Sequence, residues 1–120
     1  MGDISDNFSR SEFGCKCKYE GCVDIAVDVE LVKVLEDVRA RFNGKPITIN
    51  CSYRCEKHNE DVGGAPNSKH LLGIAADIVV KNVDQHSVYK YLNEKYYDKY
   101  GVGKYNSFTH IDVRPDKARW

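Results

Sequence analysis

The sequence predicts an α+β domain with a small mixed or antiparallel sheet flanked by helices. Three observations carry this reading. Leu31, Val34, Leu35, Val38 and Phe42 recur at helical spacing and form one apolar stripe. Short alternating or β-branched runs at 47–51, 78–80 and 108–113 read as strands. The order is helix, strand, loop, strand, helix, strand, with the helices set between strands of a small sheet. At 120 residues the chain holds one domain and has no room for a second core.

Each element follows from local chemistry. Residues 1–24 are an irregular, cysteine-containing segment with an apolar touchpoint at Phe8 and Phe13. Asp28 suits the N-cap of the first helix, and Asn43-Gly44 with Pro46 beyond suits its stop. Ile47 to Cys51 alternates apolar and polar side chains, as a half-buried strand does. A short helix is expected near Cys55 to Asp61, followed by a long polar loop with Gly63-Gly64 and Pro66. Loops of that length in small domains usually carry function. Ile78 to Val80 is a short buried strand. Val88, Tyr91, Leu92 and Lys95 mark a second helix, capped near Asp84 and expected to end at Gly101 and Gly103. Phe108 to Val113 is the last strand, followed by a tail to Trp120.

Composition narrows the function classes. Hydrophobic residues at 42% and charged residues at 30% describe a globular chain rather than a disordered one. Lys+Arg and Asp+Glu both total 18, so nucleic acid gripped by bulk positive charge is not expected. Nothing approaches the roughly 20 apolar residues of a membrane span, and the polar start does not read as a signal peptide. The five cysteines, Cys15, Cys17, Cys22, Cys51 and Cys55, leave at least one thiol unpaired in a monomer. Their spacing fits either a structural zinc cluster or small buried hydrophobes, with a bridge from the N-terminal loop to the Cys51–Cys55 segment.

Two motifs carry chemistry. His70 and Asp77 stand seven positions apart, separated by Gly73 and small residues. On the last strand, His110, Asp112 and Arg114 share one face because side chains alternate. Catalytic zinc takes three ligands from His, Asp, Glu and Cys and leaves a position for water. His70, Asp77 and His110 supply that count. Each motif alone is also compatible with ordinary hydrogen-bonded histidines. His58 and His86 lie on polar helical stretches and read as solvated.

Taken together the motifs resemble a known family. Ser52-Tyr53-Arg54, Asn59, Val62-Gly63-Gly64-Ala65, the Ser68, His70, Gly73, Ala75, Asp77-Ile78 series, and Phe108 with His110 to Arg114 are similar to the zinc D-alanyl-D-alanine carboxypeptidase and murein endopeptidase family. Small phage-type and prophage-type members are most alike. That resemblance implies the fold shared with the hedgehog signalling domain, and one zinc held by His70, Asp77 and His110. It puts Arg54 at the rim of the site, where its planar fork would hold a carboxylate or carbonyl, the alternative being a surface or structural ion pair. Ser68 is either a substrate contact or a loop cap, and Tyr105, one of eight tyrosines, is a candidate for stabilising the tetrahedral intermediate.

One departure matters. Several relatives carry the general base three residues before the last ligand histidine; that position here is Ser107. Asp112 is then the nominated base, with rival roles as orienting partner of a ligand histidine, ion-pair partner of Arg114, or ligand. The implied activity is hydrolysis of peptidoglycan stem peptides or cross-links by a monomeric zinc peptidase, with no nucleic-acid or membrane partner. Such a protein would be made in the cytoplasm and act at the bacterial wall, as a phage or prophage lysis enzyme or part of a phage particle. The rival expectations are a non-catalytic zinc-containing binding module and a structural zinc protein built on the cysteines.

Overall fold

A computed structural model describes residues 7–8, 13–14, 28–63, 69–72 and 74–120. The first helix, α1 (Val29–Arg41), starts where Asp28 accepts hydrogen bonds from the backbone of Glu30 at 2.8 Å and Leu31 at 3.4 Å. That satisfies amide donors with no partner inside the helix. It stops at Asn43 and Gly44, both in the left-handed region with φ of 60° and 75°. Strand β1 (Ile47–Cys51) follows, then α2 (Glu56–Asp61), a 3-10 turn (Lys69–Leu72) and strand β2 (Ala75–Val80). Helix α3 (Gln85–Lys95) is capped by Asp84, which accepts from the amide and hydroxyl of Ser87. Strands β3 (Gly101–Lys104), β4 (Thr109–Asp112) and β5 (Ala118–Arg119) complete the chain.

The sheet has the order β1-β2-β4-β3-β5. All neighbours are antiparallel except β3 and β5, which are parallel. The predicted α+β class with a small mixed sheet is what forms. One face is apolar. Ile47, Ile49, Ala76, Ile78, Val80, Val102 and Ile111 bury against Leu31, Leu35, Val38, Val88 and Leu92 from the two long helices. Burying such side chains contributes roughly 1.5–3 kcal/mol each before entropy is subtracted. Phe8 and Phe13 join this core edge to face, 6.1 Å apart, and the Asn7 side chain donates to Glu36 of α1 at 2.6 Å. The phenols of Tyr91 and Tyr96 both donate to Asp37, tying α3 to α1. Among the described residues no helix is long and apolar enough to cross a membrane.

Two expectations about the C-terminal third are corrected. Gly101 and Gly103 do not end the second helix, which stops at Lys95; they form β3. The reason is space. A Cβ on Gly101 would meet Asp112 Oδ2 at 2.5 Å, and one on Gly103 would strike the Trp120 indole. The tail is also a strand, with Lys104 donating to Trp120 O and Trp120 N to Val102 O. Arg119 anchors it by donating to Asn93 and to the carbonyls of Tyr96, Lys99 and Tyr100.

Candidate metal centre and active site

The other face of the sheet is polar at its centre. Register aligns Asp77, His110 and Gly103 in one row across β2, β4 and β3. The adjacent row is Ala75, Asp112 and Gly101. Small residues thus flank the charged ones, leaving room for side chains to lie over the sheet. His70 comes from the 3-10 turn before β2. A register shift between Ile49 and Cys51 bends the end of β1 toward Asp77. The segment after it then holds the turn: Arg54 N donates to His70 O at 3.1 Å, and Ser52 Oγ to Ala75 O at 2.7 Å.

The two imidazoles converge on one carboxylate oxygen. His70 Nε2 lies 3.3 Å and His110 Nδ1 2.9 Å from Asp77 Oδ1. Their opposite nitrogens are both committed. His70 Nδ1–H donates to the Ser52 carbonyl at 2.6 Å, since a carbonyl only accepts. His110 Nε2–H donates to Asp112 Oδ2 at 2.8 Å. In the neutral, ligating form each tautomer is therefore set from behind, which leaves His70 Nε2 and His110 Nδ1 on the Asp77 side as the atoms with a lone pair to give a metal.

This arrangement fits a divalent metal. A tetrahedral zinc with bonds of about 2.0–2.1 Å has ligand–ligand edges of roughly 3.3 Å, close to the two separations from Asp77, 3.3 Å to His70 and 2.9 Å to His110. Electrostatics agree. Burial works against charge on His70, yet the bond to Asp77 and the neighbouring Cys51 outweigh it and hold the pKa up to about 9. Burial likewise opposes charge on His110, but the bonds to Asp112 and Asp77 raise it. Asp77 is pushed up by burial and pulled further down by the two histidines, to about 2. Both imidazoles are thus biased toward the positive form around one carboxylate, which is where a doubly charged cation would sit. Cys51, a half-buried free thiol, joins His70 and Asp77 as a further possible ligand. Its sulfur is 3.8 Å from His70 Nδ1, the nitrogen already taken by Ser52, whereas His110 Nδ1 meets the same Asp77 oxygen as His70 Nε2.

Asp112 is not where a general base would be. It has no solvent exposure. Oδ1 accepts from Arg114 Nε at 2.7 Å and its amide at 3.2 Å, while Oδ2 accepts from Arg114 Nη2 at 2.7 Å and from His110. Burial pushes its pKa up, but Arg114 and His110 together hold it well below the usual carboxylate range. Both oxygens are occupied and neither faces the cavity, so the nomination of Asp112 as base is corrected. Its place is behind His110, the orienting role weighed against it.

Over these residues opens a cavity of about 650 Å³. His70, Asp77 and His110 form part of its floor, with Arg54, Lys69 and Arg114 supplying positive charge. Tyr105, Phe108 and Trp120 form an aromatic wall. Arg54 and Tyr105 line the cavity. Ser68, Gly73, Cys15, Cys17 and Cys22 lie outside the described residues. Ser107 is exposed in the connection from β3 to β4. Lys69 and Trp120 are additions that sequence reasoning missed. Lys69 had a signal in its position next to His70; Trp120 had none before β5 was known to pair with β3.

The comparison with known proteins decides the family. Residues 6–112 match the Peptidase M15 family. This chain belongs to the peptidase M15 family. A 44-residue stretch, 37% of the chain, is 46% identical to the zinc D-Ala-D-Ala carboxypeptidase of Streptomyces albus G. That stretch spans 17% of the Streptomyces protein. For this M15 member, membership and geometry point the same way: a zinc metallopeptidase family, and a cluster of His70, Asp77 and neighbouring residues compatible with a metal site.

Proposed function

We propose that this M15 protein is a zinc-dependent peptidase that hydrolyses peptide bonds of bacterial peptidoglycan, in a stem peptide or a cross-link. The observation that carries the reading is the convergence of His70 Nε2 and His110 Nδ1 on Asp77 Oδ1 at the floor of an open cavity. The name of the Streptomyces relative supports the substrate class. His70, Asp77 and His110 would hold one zinc. When bound, zinc supplies a Lewis acid and lowers the pKa of a water toward neutrality.

The chain's own residues do the rest. The Ser52 carbonyl and Asp112 keep the two imidazoles in the ligating tautomer. Arg54 offers its fork to a substrate carboxylate or carbonyl. Tyr105 offers a hydroxyl to the oxygen that gains charge as the carbonyl is attacked. Lys69 and Arg114 add positive potential, which favours peptides carrying carboxylates. On this reading the enzyme works at the bacterial wall, as phage and prophage lysis enzymes do.

A specific observation favours one rival. Among the described residues, Asp77 is the sole carboxylate lining the cavity, and Ser107 stands where several members of the resembled family carry a base. A zinc-containing binding module without hydrolysis would look like this. The deciding experiment measures zinc content and digests purified peptidoglycan, with mass analysis of the fragments, for wild type and His70→Ala. One zinc per chain, new peptide ends, and loss of both in His70→Ala are expected for the peptidase. The fragment masses then identify the bond cut. Zinc without new ends on any wall type establishes the binding module instead.

A further inference from the structure

Trp120 sits outside the metal set, yet its surroundings are unusually ordered for a residue 45% exposed. Its backbone is paired to β3 on both sides, through Lys104 N to Trp120 O at 2.9 Å and Trp120 N to Val102 O at 3.2 Å. Its indole lies flush on Gly103, where any side chain would collide with it. The ring stands 5.0 Å from the His110 imidazole, and the Arg114 guanidinium lies over it at 5.4 Å. Its one polar atom, Nε1, donates to the Tyr105 hydroxyl at 2.7 Å. Tyr105 is held from its other side by stacking on Phe108 at 4.5 Å.

The direction of that hydrogen bond has a chemical consequence. A phenol has one hydrogen to give and lone pairs to receive, whereas an indole N–H only donates. Trp120 therefore fills an acceptor position on the Tyr105 oxygen and cannot take its hydrogen. The phenolic hydrogen is left to point elsewhere, and Tyr105 lines the cavity. We infer that Trp120 is a positioning residue for the peptidase reaction: it fixes Tyr105 as a hydrogen-bond donor directed at the substrate oxygen, and walls His110 from bulk water. The inference rests on the peptidase reading and names a device that reading does not need.

The test uses conservative variants. Trp120→Phe keeps an aromatic ring over His110 and Gly103 but has no N–H. Tyr105→Phe keeps the stack on Phe108 but has no hydroxyl. Loss of one oxyanion donor typically costs about 10²–10³ in kcat, so Tyr105→Phe is expected to lose about 100-fold. Trp120→Phe is expected to lose at least about tenfold in kcat with KM little changed, and the double variant to lose no more than Tyr105→Phe alone, as for two groups in one unit. Zinc content and melting temperature are measured for every variant, because a purely structural wall residue would move those and give additive losses.

An activity-independent readout accompanies it. Trp120 is the single tryptophan, so its indole N–H gives one assignable NMR resonance. Tyr105→Phe is expected to move that resonance and speed its exchange with solvent. A resonance indifferent to Tyr105→Phe overturns the inference, as does full activity in Trp120→Phe. Absence of hydrolysis by wild type is a different result, and brings down the peptidase reading itself.

Discussion

Replacing Asp112 by Asn tests whether the metal centre is set from behind. The wild-type carboxylate accepts four hydrogen bonds, three from Arg114 and one from His110. An amide of the same shape has one acceptor oxygen and one NH2. Whichever way it turns, the NH2 faces a donor. Turned toward His110, it forces the imidazole to accept at Nε2 and carry its proton on Nδ1, the atom that faces Asp77. Turned toward Arg114, it opposes a guanidinium. Loss of a partner that orients a ligand typically weakens metal binding 10–100-fold, or about 1.4–2.7 kcal/mol. Removing one member of a buried ion pair costs about 3–5 kcal/mol. Arg114 keeps a quarter of its side chain in solvent and rehydrates in part, so the low end applies. That corresponds to a fall in melting temperature of roughly 10 °C for a chain of this size. Competition against a chromophoric zinc chelator measures the affinity, and thermal unfolding of metal-free protein measures the stability separately. Wild-type zinc affinity in Asp112→Asn would refute the reasoning.

Other predictions follow from the same contacts. Gly101→Ala places a methyl 2.5–2.7 Å from Asp112 and Arg114, and should cost about 1–3 kcal/mol by overpacking; unfolding in urea at the wild-type midpoint would show that the pair moves aside freely. Arg119→Ala removes the bonds that hold β5 to the turn after α3, and should cost about 2 kcal/mol; tryptophan fluorescence should report greater exposure of Trp120. The third concerns alkaline pH. Burial, then the bond to Asp37, raises Tyr91 to about 12, and burial with Asp37 raises Tyr96 further. An unfolded tyrosine ionises near pH 10, so the native state holds the proton longer. Stability from this cluster is then whole below pH 10 and lost as pH rises through about 12. Melting temperature followed from pH 9 to 12 should fall less steeply in Tyr91→Phe than in wild type; parallel curves would sink the assignment.

Much of this was legible before any fold was known, for reasons of range. Asp28 and Asp84 cap helices through atoms two or three residues away, so a short window of sequence contains the cause. The alternation that puts His110, Asp112 and Arg114 on one face is a property of any extended strand. The resemblance of the ordered motifs to zinc carboxypeptidases pointed to the family that the match over 6–112 shows. Gly101 and Gly103 were misread because glycine carries two meanings, helix stop and close approach. Only the neighbours choose between them, and those neighbours are Asp112, Arg114 and Trp120.

The sequence by itself determined the inventory of the site: two histidines and an aspartate of ligating type, an arginine after the first strand, and a strand with a buried polar face. Tertiary structure decided how the inventory is used. Pairing of β2 with β4 sets His110 against Asp77, and the bulge at the end of β1 lets the Ser52 carbonyl choose the His70 tautomer. Asp112 became the partner behind His110 through contacts only two residues away, to His110 and Arg114, whereas Trp120 reached the cavity through the pairing of β5 with β3. Composition and periodicity are short-range properties. Register, the His70 tautomer and the meeting of His110 with Asp77 depend on residues 18 and 33 positions apart, and exist only once the chain has folded.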